Sequence, residues 1–295
     1  MTNLAGNTLP NVQKESFTVT ASDGYVLGAT RFHIPESASK AVVLISTASG
    51  VKQSVYFSFA SFLATQGFMV LTYDYRGVGQ SLHTDIRELD VLMSDWGKQD
   101  MTAMLAWIQD HYPEQKILLV TNSIGGVILG LSPLATSITA ALMVAPPNLH
   151  WRYGKTWLTK VTLLLMIYAL VPIVGQLMKY LPMKPLGLGE SLPKSAVFEW
   201  IQWAKQPDYL TVYNPENYYQ DIQFPIRVYS LSDDGIASYA AVRNIVKFYS
   251  NADLEHIHLD PQSIQALQIG HIGFFKKTFQ NTLWQEVYEW LSGQL

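Results

Sequence analysis

No cysteine occurs anywhere in the chain, which excludes disulfides, thiolate metal ligands and a cysteine nucleophile. The redox compartment stays open, because a cysteine-free chain tolerates oxidising and reducing surroundings alike. A basic block is also missing. Twenty Lys and Arg stand against twenty-three Asp and Glu, a formal net charge of −3, so no nucleic-acid partner is expected. Neither Gly nor Pro is in excess, and no internal repeat or low-complexity tract appears, which speaks against fibrous and solenoid architectures. Met1–Pro10 has neither a basic n-region nor an apolar h-region, so a signal peptide is not expected and a cytoplasmic location is. What remains, 295 residues, suffices for one large α/β domain or for a core carrying an inserted subdomain.

The stretch Thr121-Asn122-Ser123-Ile124-Gly125-Gly126 organises the reading of the rest. It follows Lys116-Ile117-Leu118-Leu119-Val120, a run too short and too β-rich for a helix, and precedes Val127–Leu131, which suits one. A strand that breaks at a serine and turns into a helix through small residues has the geometry of a nucleophile elbow. The amide of Ile124 would then sit at a helix N-terminus, aimed where an oxyanion forms. The pattern G-x-S-x-G is met except at Thr121, where a β-branched side chain must be accommodated. The competing reading is an ordinary strand-to-helix turn whose glycines serve close packing.

Around that turn the chain alternates in a regular way. Ser16–Thr20 and Tyr25–His33 alternate apolar and polar about Ser22-Asp23-Gly24, which predicts a hairpin. Ala41–Ile45 and Phe68–Tyr73 are continuous apolar runs, as in strands buried on both faces. Helical spacing marks Phe57–Gln66 and Trp96–His111, and Ile138–Ala145 predicts a further strand. From Pro146 to Pro215 the rhythm stops in favour of Trp, Tyr, Leu and Pro with no clear strand, and residues 146–215 read as an inserted helical cap. The sheet resumes at Ile226–Leu231, followed by a helix over Tyr239–Tyr249, a strand near Leu254–Leu259 and an amphipathic helix over Asn281–Ser292. The predicted fold class is therefore α/β, a mostly parallel, doubly wound sheet with an N-terminal antiparallel hairpin, its core formed by 1–145 and 216–295.

Ligands of open α/β sheets bind at the carboxyl ends of the strands. Ser123, the pair Asp233-Asp234, His271 between Gly270 and Ile272-Gly273, and the small-residue loop Thr47-Ala48-Ser49 all fall at or beyond such ends. A serine hydroxyl needs a base as it attacks, an imidazole titrates in the right range, and a carboxylate fixes the imidazole tautomer. Asp233 and Asp234 are adjacent, so only one can point at the histidine. His256 and His258, two apart on one strand face, lack an evident third ligand, so no metal is expected, nor any cofactor.

At these residues the sequence resembles the α/β-hydrolase fold superfamily. Gly67-Phe68-Met69-Val70-Leu71-Thr72-Tyr73-Asp74-Tyr75-Arg76-Gly77-Val78-Gly79-Gln80-Ser81 is similar, nearly residue for residue, to its G-aromatic-x-V-x-x-x-D-x-R-G-x-G-x-S stretch. Leu186–Pro193, Glu199-Trp200 through Trp203 to Pro207-Asp208-Tyr209, and Gly270–Phe275 resemble a little-characterised branch of predicted bacterial serine hydrolases. The resemblance runs from Phe17 to the C-terminus. It implies Ser123 as nucleophile, His271 as base and Asp234 as acid in preference to Asp233, with Ser238 standing where a proline is usual. It also implies an oxyanion hole from the amides of Ile124 and of Thr47 or Ala48.

The function expected is a serine hydrolase that cleaves a carboxylic ester or thioester through an acyl-enzyme on Ser123. The aromatic and aliphatic cap suggests a small-molecule substrate with an apolar group. The alternative is a hydrolase-fold protein that binds an apolar small ligand under the cap without turnover. One run bears on partners. Val161–Met178 is apolar except for Tyr168 and Gln176 and is flanked by Lys160 and Lys179. Pro172 and Gly175 are expected to break it into a hairpin, buried or dipping into a membrane surface, so peripheral membrane contact is kept open and a stable span is not expected. The oligomeric state has no signature in the sequence.

Overall fold

The computed structural model describes residues 11–187 and 189–295, and the reading of Met1–Pro10 lies outside them. The strands are β1 (Gln13–Thr20), β2 (Val26–His33), β3 (Val42–Ser46), β4 (Met69–Tyr73), β5 (Ile117–Asn122), β6 (Ala140–Val144), β7 (Tyr180–Leu181), β8 (Leu192–Pro193), β9 (Ile226–Leu231) and β10 (Leu254–Leu259). The helices are α1 (Phe57–Thr65), α2 (Thr102–His111), α3 (Ile124–Ile128), α4 (Trp157–Leu165), α5 (Val171–Met178), α6 (Lys194–Ala204), α7 (Tyr209–Tyr213), α8 (Tyr239–Val246), α9 (Gly270–Gly273) and α10 (Leu283–Ser292). Eight strands form one sheet in the order β1-β2-β4-β3-β5-β6-β9-β10. The pairs β1/β2 and β2/β4 are antiparallel, and the remaining pairs are parallel.

Composition explains which strands lie where. Every residue of β3, β4, β5 and β6 is buried, as continuous apolar runs demand when helices cover both faces. Along β1 the burial alternates in part, which suits an edge strand with one face in water. The strongest sequence motif turns out to be a brace. Asp74, buried just past β4, accepts hydrogen bonds from the Gln53 amide (2.7 Å), the Gln53 side chain (3.2 Å) and the Gln80 amide (2.9 Å). Gly79 sits at φ 50°, and a Cβ there would come 2.5 Å from Asp74 Oδ2, so glycine is required. Ser81 Oγ donates to the Asp74 carbonyl (2.7 Å) and accepts from the Gly28 amide (2.9 Å), tying the loop to β2.

Arg76 is the brace's charged centre. Its Nε donates to Asp100 Oδ1 at 2.7 Å, its backbone amide to Asp100 Oδ2 at 2.9 Å, and its Nη1 to Asp23 Oδ2 at 2.6 Å. Asp100 is wholly buried and Arg76 nearly so. Truncating one member of such a pair strands the other's charge away from water. Arg76→Met is therefore expected to lower unfolding stability by about 3–5 kcal/mol, read from denaturant midpoints. The double variant Arg76→Met/Asp100→Leu should recover only part of that loss, because it removes the stranded charge but leaves the amide of residue 76 without its Asp100 acceptor. A single variant within about 0.5 kcal/mol of wild type would contradict it.

Between β6 and β9 the chain is helical, apart from the two-residue β7 and β8, which pair with each other. The expected hairpin at Val161–Met178 is not formed. Instead α4, a π turn at Met166–Leu170 and α5 run on as one helix, Trp157–Met178. The wider π turn explains why Pro172 does not break it, since the turn falls where proline removes an amide donor and crowds the preceding carbonyl. Gly175 lets this helix approach α6, because a Cβ there would meet Phe198 Cε2 at 2.9 Å. Glu199 on α6 fastens that layer to the core by accepting from the Ser94 amide (2.8 Å) and hydroxyl (2.7 Å).

Candidate active site

Ser123 joins β5 to α3 with φ 54° and ψ −117°, a conformation that costs a non-glycine residue free energy and persists only where its neighbours fix it. Its amide donates to the Val144 carbonyl of β6 at 2.9 Å, and its carbonyl accepts from the Gly126 amide at 3.1 Å. Buried tyrosines hold the helix beyond. Tyr249 donates to the Gly126 carbonyl and Tyr219 to the Val127 carbonyl, each at 2.7 Å, satisfying acceptors that a five-residue helix leaves open. The helix expected over Val127–Leu131 thus stops at Ile128 and tightens into a 3-10 turn at Leu129–Leu131. Gly130 there faces Tyr219, with no room for a Cβ.

Thr121 is fully buried and fits because its neighbours are small. A Cβ on Gly125 would lie 3.2 Å from Thr121 Cβ, and one on Gly126 3.0 Å from Thr121 Oγ1. The space that a glycine at 121 would leave open is filled by threonine, and the two following glycines keep the turn from being overpacked. The Ser46 carbonyl, at the end of β3, lies 2.9 Å from the position of a Gly125 Cβ, so the β3 loop and the elbow are in close contact.

Ser123, Asp234 and His271 come together from three separate strand ends. His271 Nε2 lies 2.8 Å from Ser123 Oγ, and His271 Nδ1 lies 2.7 Å from Asp234 Oδ2. The histidine sits on the short helical turn α9, not in an irregular loop, and Gly270 enters that turn at φ 65°. Asp234 follows β9 and is buried. Its Oδ1 accepts from the amides of Ile236 (2.7 Å) and Ala237 (2.9 Å), leaving Oδ2 for the imidazole. Burial alone would raise this carboxyl's pKa. The His271 hydrogen bond and charge, with the two amides, outweigh burial and hold it below the usual carboxylate range. Because the folded-state pKa lies below the unfolded one, this carboxylate's stabilising contribution is present above the ordinary Asp range. It is lost as pH falls through the lowered pKa.

Asp233 faces elsewhere. Its Oδ2 accepts from the amides of Ile269 (2.8 Å) and Gly270 (2.9 Å), which fixes the approach to the histidine turn. Neighbouring carboxylates thus do different work, one on the ring and one on the backbone that carries it.

Of the amides considered for an oxyanion, that of Ala48 is occupied, since it donates to the Tyr56 hydroxyl at 3.0 Å. Among the described residues the amides of Thr47 and Ile124 have no acceptor. Tyr56 in turn donates to Asn122 Oδ1 (2.9 Å), while Asn122 Nδ2 donates to the Val144 carbonyl (3.1 Å) and the His271 carbonyl (3.3 Å). Asn122 thereby links the elbow to the histidine turn, a role that no local signal in the sequence announces. His256 and His258 of β10 each place a ring nitrogen 2.8 Å from Ser230 Oγ of β9.

A small apolar cavity opens beside Ile124, lined by Pro147, Leu149, Trp200, Trp203 and Tyr209 among others. Trp203 stacks on Tyr209 with ring centroids 5.4 Å apart. No carboxylate lines this space.

Comparison with known proteins agrees with the architecture. A family model described as Hydrolase_4, Serine aminopeptidase, S33, matches residues 37–205. No curated protein matches. Among solved structures, an esterase from Pyrococcus furiosus is similar at 16% identity and a TM-score of 0.62, covering 99% of this chain and 96% of that one. A soluble variant of monoglyceride lipase from Saccharomyces cerevisiae, in complex with a substrate analog, also shows 16% identity and 0.62, covering 99% and 97%. A hypothetical protein from Pseudomonas aeruginosa reaches 0.63 at 13% identity, covering 96% and 94%.

Proposed function

Because this chain belongs to the Hydrolase_4 family of α/β-hydrolases, we propose that Ser123, His271 and Asp234 act as nucleophile, base and acid in cleaving a carboxylic ester or thioester with an apolar group. The contact of His271 with both Ser123 and Asp234 carries this reading. As Ser123 Oγ attacks the carbonyl carbon, its proton passes to His271 Nε2. Asp234 holds the Nδ1–H and stabilises the imidazolium. The tetrahedral oxyanion is met by the free amides of Ile124 and Thr47. Collapse expels the alcohol or thiol, which takes the proton from His271 and leaves an acyl group on Ser123. A water then repeats the sequence, releasing acid and free enzyme.

The choice of an apolar ester over a peptide N-terminus rests on the lining of the cavity beside Ile124. An α-ammonium held there would meet Trp and aliphatic groups and no carboxylate, a costly burial of an unpaired charge. The similar structures described as an esterase and a lipase support the same class. A fluorophosphonate probe is expected to label Ser123, located by mass spectrometry of the digest, and p-nitrophenyl esters should be turned over faster than aminoacyl arylamides. Faster cleavage of the arylamides would reverse the substrate class. An unlabelled Ser123 that still binds an apolar ligand under the cap would favour the non-catalytic alternative.

A further inference from the structure

We propose that the outer face of the helix Trp157–Met178 docks on an anionic lipid surface, lying in its plane. Among the described residues this is the one helix long and apolar enough to cross a membrane, with mean hydropathy 2.2 over its best window, yet only 17% of that window is buried. Trp157 is 75% exposed, Leu165 57%, Ile173 57% and Leu177 78%, and Leu158 and Tyr168 are exposed beside them. A continuous apolar face of this kind in water marks a surface awaiting a partner.

Length alone would let the helix cross a bilayer, but its attachments do not. Ile167 and Val171 are buried, and Gly175 packs on Phe198 of α6, so from Ile167 onward an inner stripe of the helix is committed to the protein. At one end Lys155 Nζ donates to the Ser232 carbonyl at 2.7 Å, and at the other β7 pairs with β8. A spanning helix would have to release both ends. One that lies in the interface keeps the inner stripe on protein and gives the outer one to acyl chains.

Charge selects the partner. From 150 to 183 the charged residues are Arg152, Lys155, Lys160 and Lys179, all basic, in a chain whose net charge is −3, and Lys184 just beyond them is paired with Glu190 at 3.1 Å. Lysines at the ends of an apolar helix reach anionic headgroups while their stems stay among the acyl chains. A second copy of this chain would instead set those cations against themselves across an isologous contact. Only α6 separates this helix from the cavity beside Ile124, since Trp200 and Trp203 project from α6 into its lining. The docking does not depend on the proposed reaction, although it would bring that cavity to where apolar substrates partition.

The test is co-sedimentation of the full chain with vesicles of phosphatidylcholine, alone or mixed with phosphatidylglycerol. Wild type is expected to sediment with the mixed vesicles and to be released by salt. Leu158→Gln/Leu165→Gln/Ile173→Gln/Leu177→Gln, all at exposed positions, should weaken partition about a hundred-fold or more. Its circular dichroism and its turnover of a water-soluble ester should be unchanged. Lys160→Glu/Lys179→Glu should weaken binding about tenfold or more per residue, on the mixed vesicles alone. The proposal is overturned if wild type stays in the supernatant with both vesicles, or if the quadruple variant binds as wild type does. A wild-type dimer by sedimentation velocity that the quadruple variant dissociates, with no vesicle binding, would assign the face to a second copy.

Discussion

Replacing Ser123 by Ala is expected to cut kcat for the best ester by about a thousand- to a million-fold while the protein stays folded. The size of the loss follows from what remains. Alanine removes the attacking oxygen, and water must then reach the carbonyl without a covalent intermediate. The amides of Ile124 and Thr47 and the apolar cavity survive the substitution and account for the residual rate. The fold should survive because the turn is fixed by backbone bonds of Ser123 to Val144 and Gly126 and by Tyr249 and Tyr219 beyond it, none of which uses the lost hydroxyl. Alanine also enters the same strained φ without adding atoms. The checks are steady-state kinetics with a titrated sample and a thermal melt. A variant that keeps its melt and turns over within tenfold of wild type would falsify the acyl-enzyme proposal.

The central sheet was legible because its cause is local. Val42–Ser46, Met69–Tyr73 and Ile117–Asn122 are apolar on both faces, and a chain alternating such runs with helical spacing has few other ways to bury them. The stretch from Asp74 to Ser81 was legible as a pattern and not as a cause. Only the structure shows Asp74 collecting amides and Arg76 pinned between Asp100 and Asp23. Where the reading failed, the deciding contact is distant in sequence. Proline 172 predicts a break, and nothing in the sequence near it announces a π turn that absorbs it. Ala48 and Thr47 are indistinguishable until the Tyr56 hydroxyl arrives from α1's entry and occupies one amide. Thr121 reads as an intruder in the elbow until Gly125 and Gly126 are seen facing it.

The adjacent carboxylates separate most sharply by substitution. Asp234→Asn is expected to lower kcat about ten-thousand-fold, because an amide whose NH2 faces His271 Nδ1 stabilises the tautomer with its proton on Nε2. That nitrogen then donates to Ser123 Oγ and cannot accept its proton. Oδ1 of the asparagine still receives the Ile236 and Ala237 amides, so little stability should be lost at neutral pH. In Asp233→Asn an amide oxygen can replace the carboxylate oxygen that accepts from Ile269 and Gly270, while the NH2 takes the place of Oδ1, a buried atom without a partner among the described residues, so any loss should fall on stability and not on the proton transfer. Turnover there should stay within about tenfold of wild type. Asp233→Ala removes that acceptor and leaves two amides near the histidine turn unpaired, so it should cost about 1–3 kcal/mol of stability. Paired kcat and melting measurements on the three variants decide the assignment, and equal losses of kcat in both asparagine variants would mean that the acid acts through the whole turn and not through the Asp234–His271 hydrogen bond.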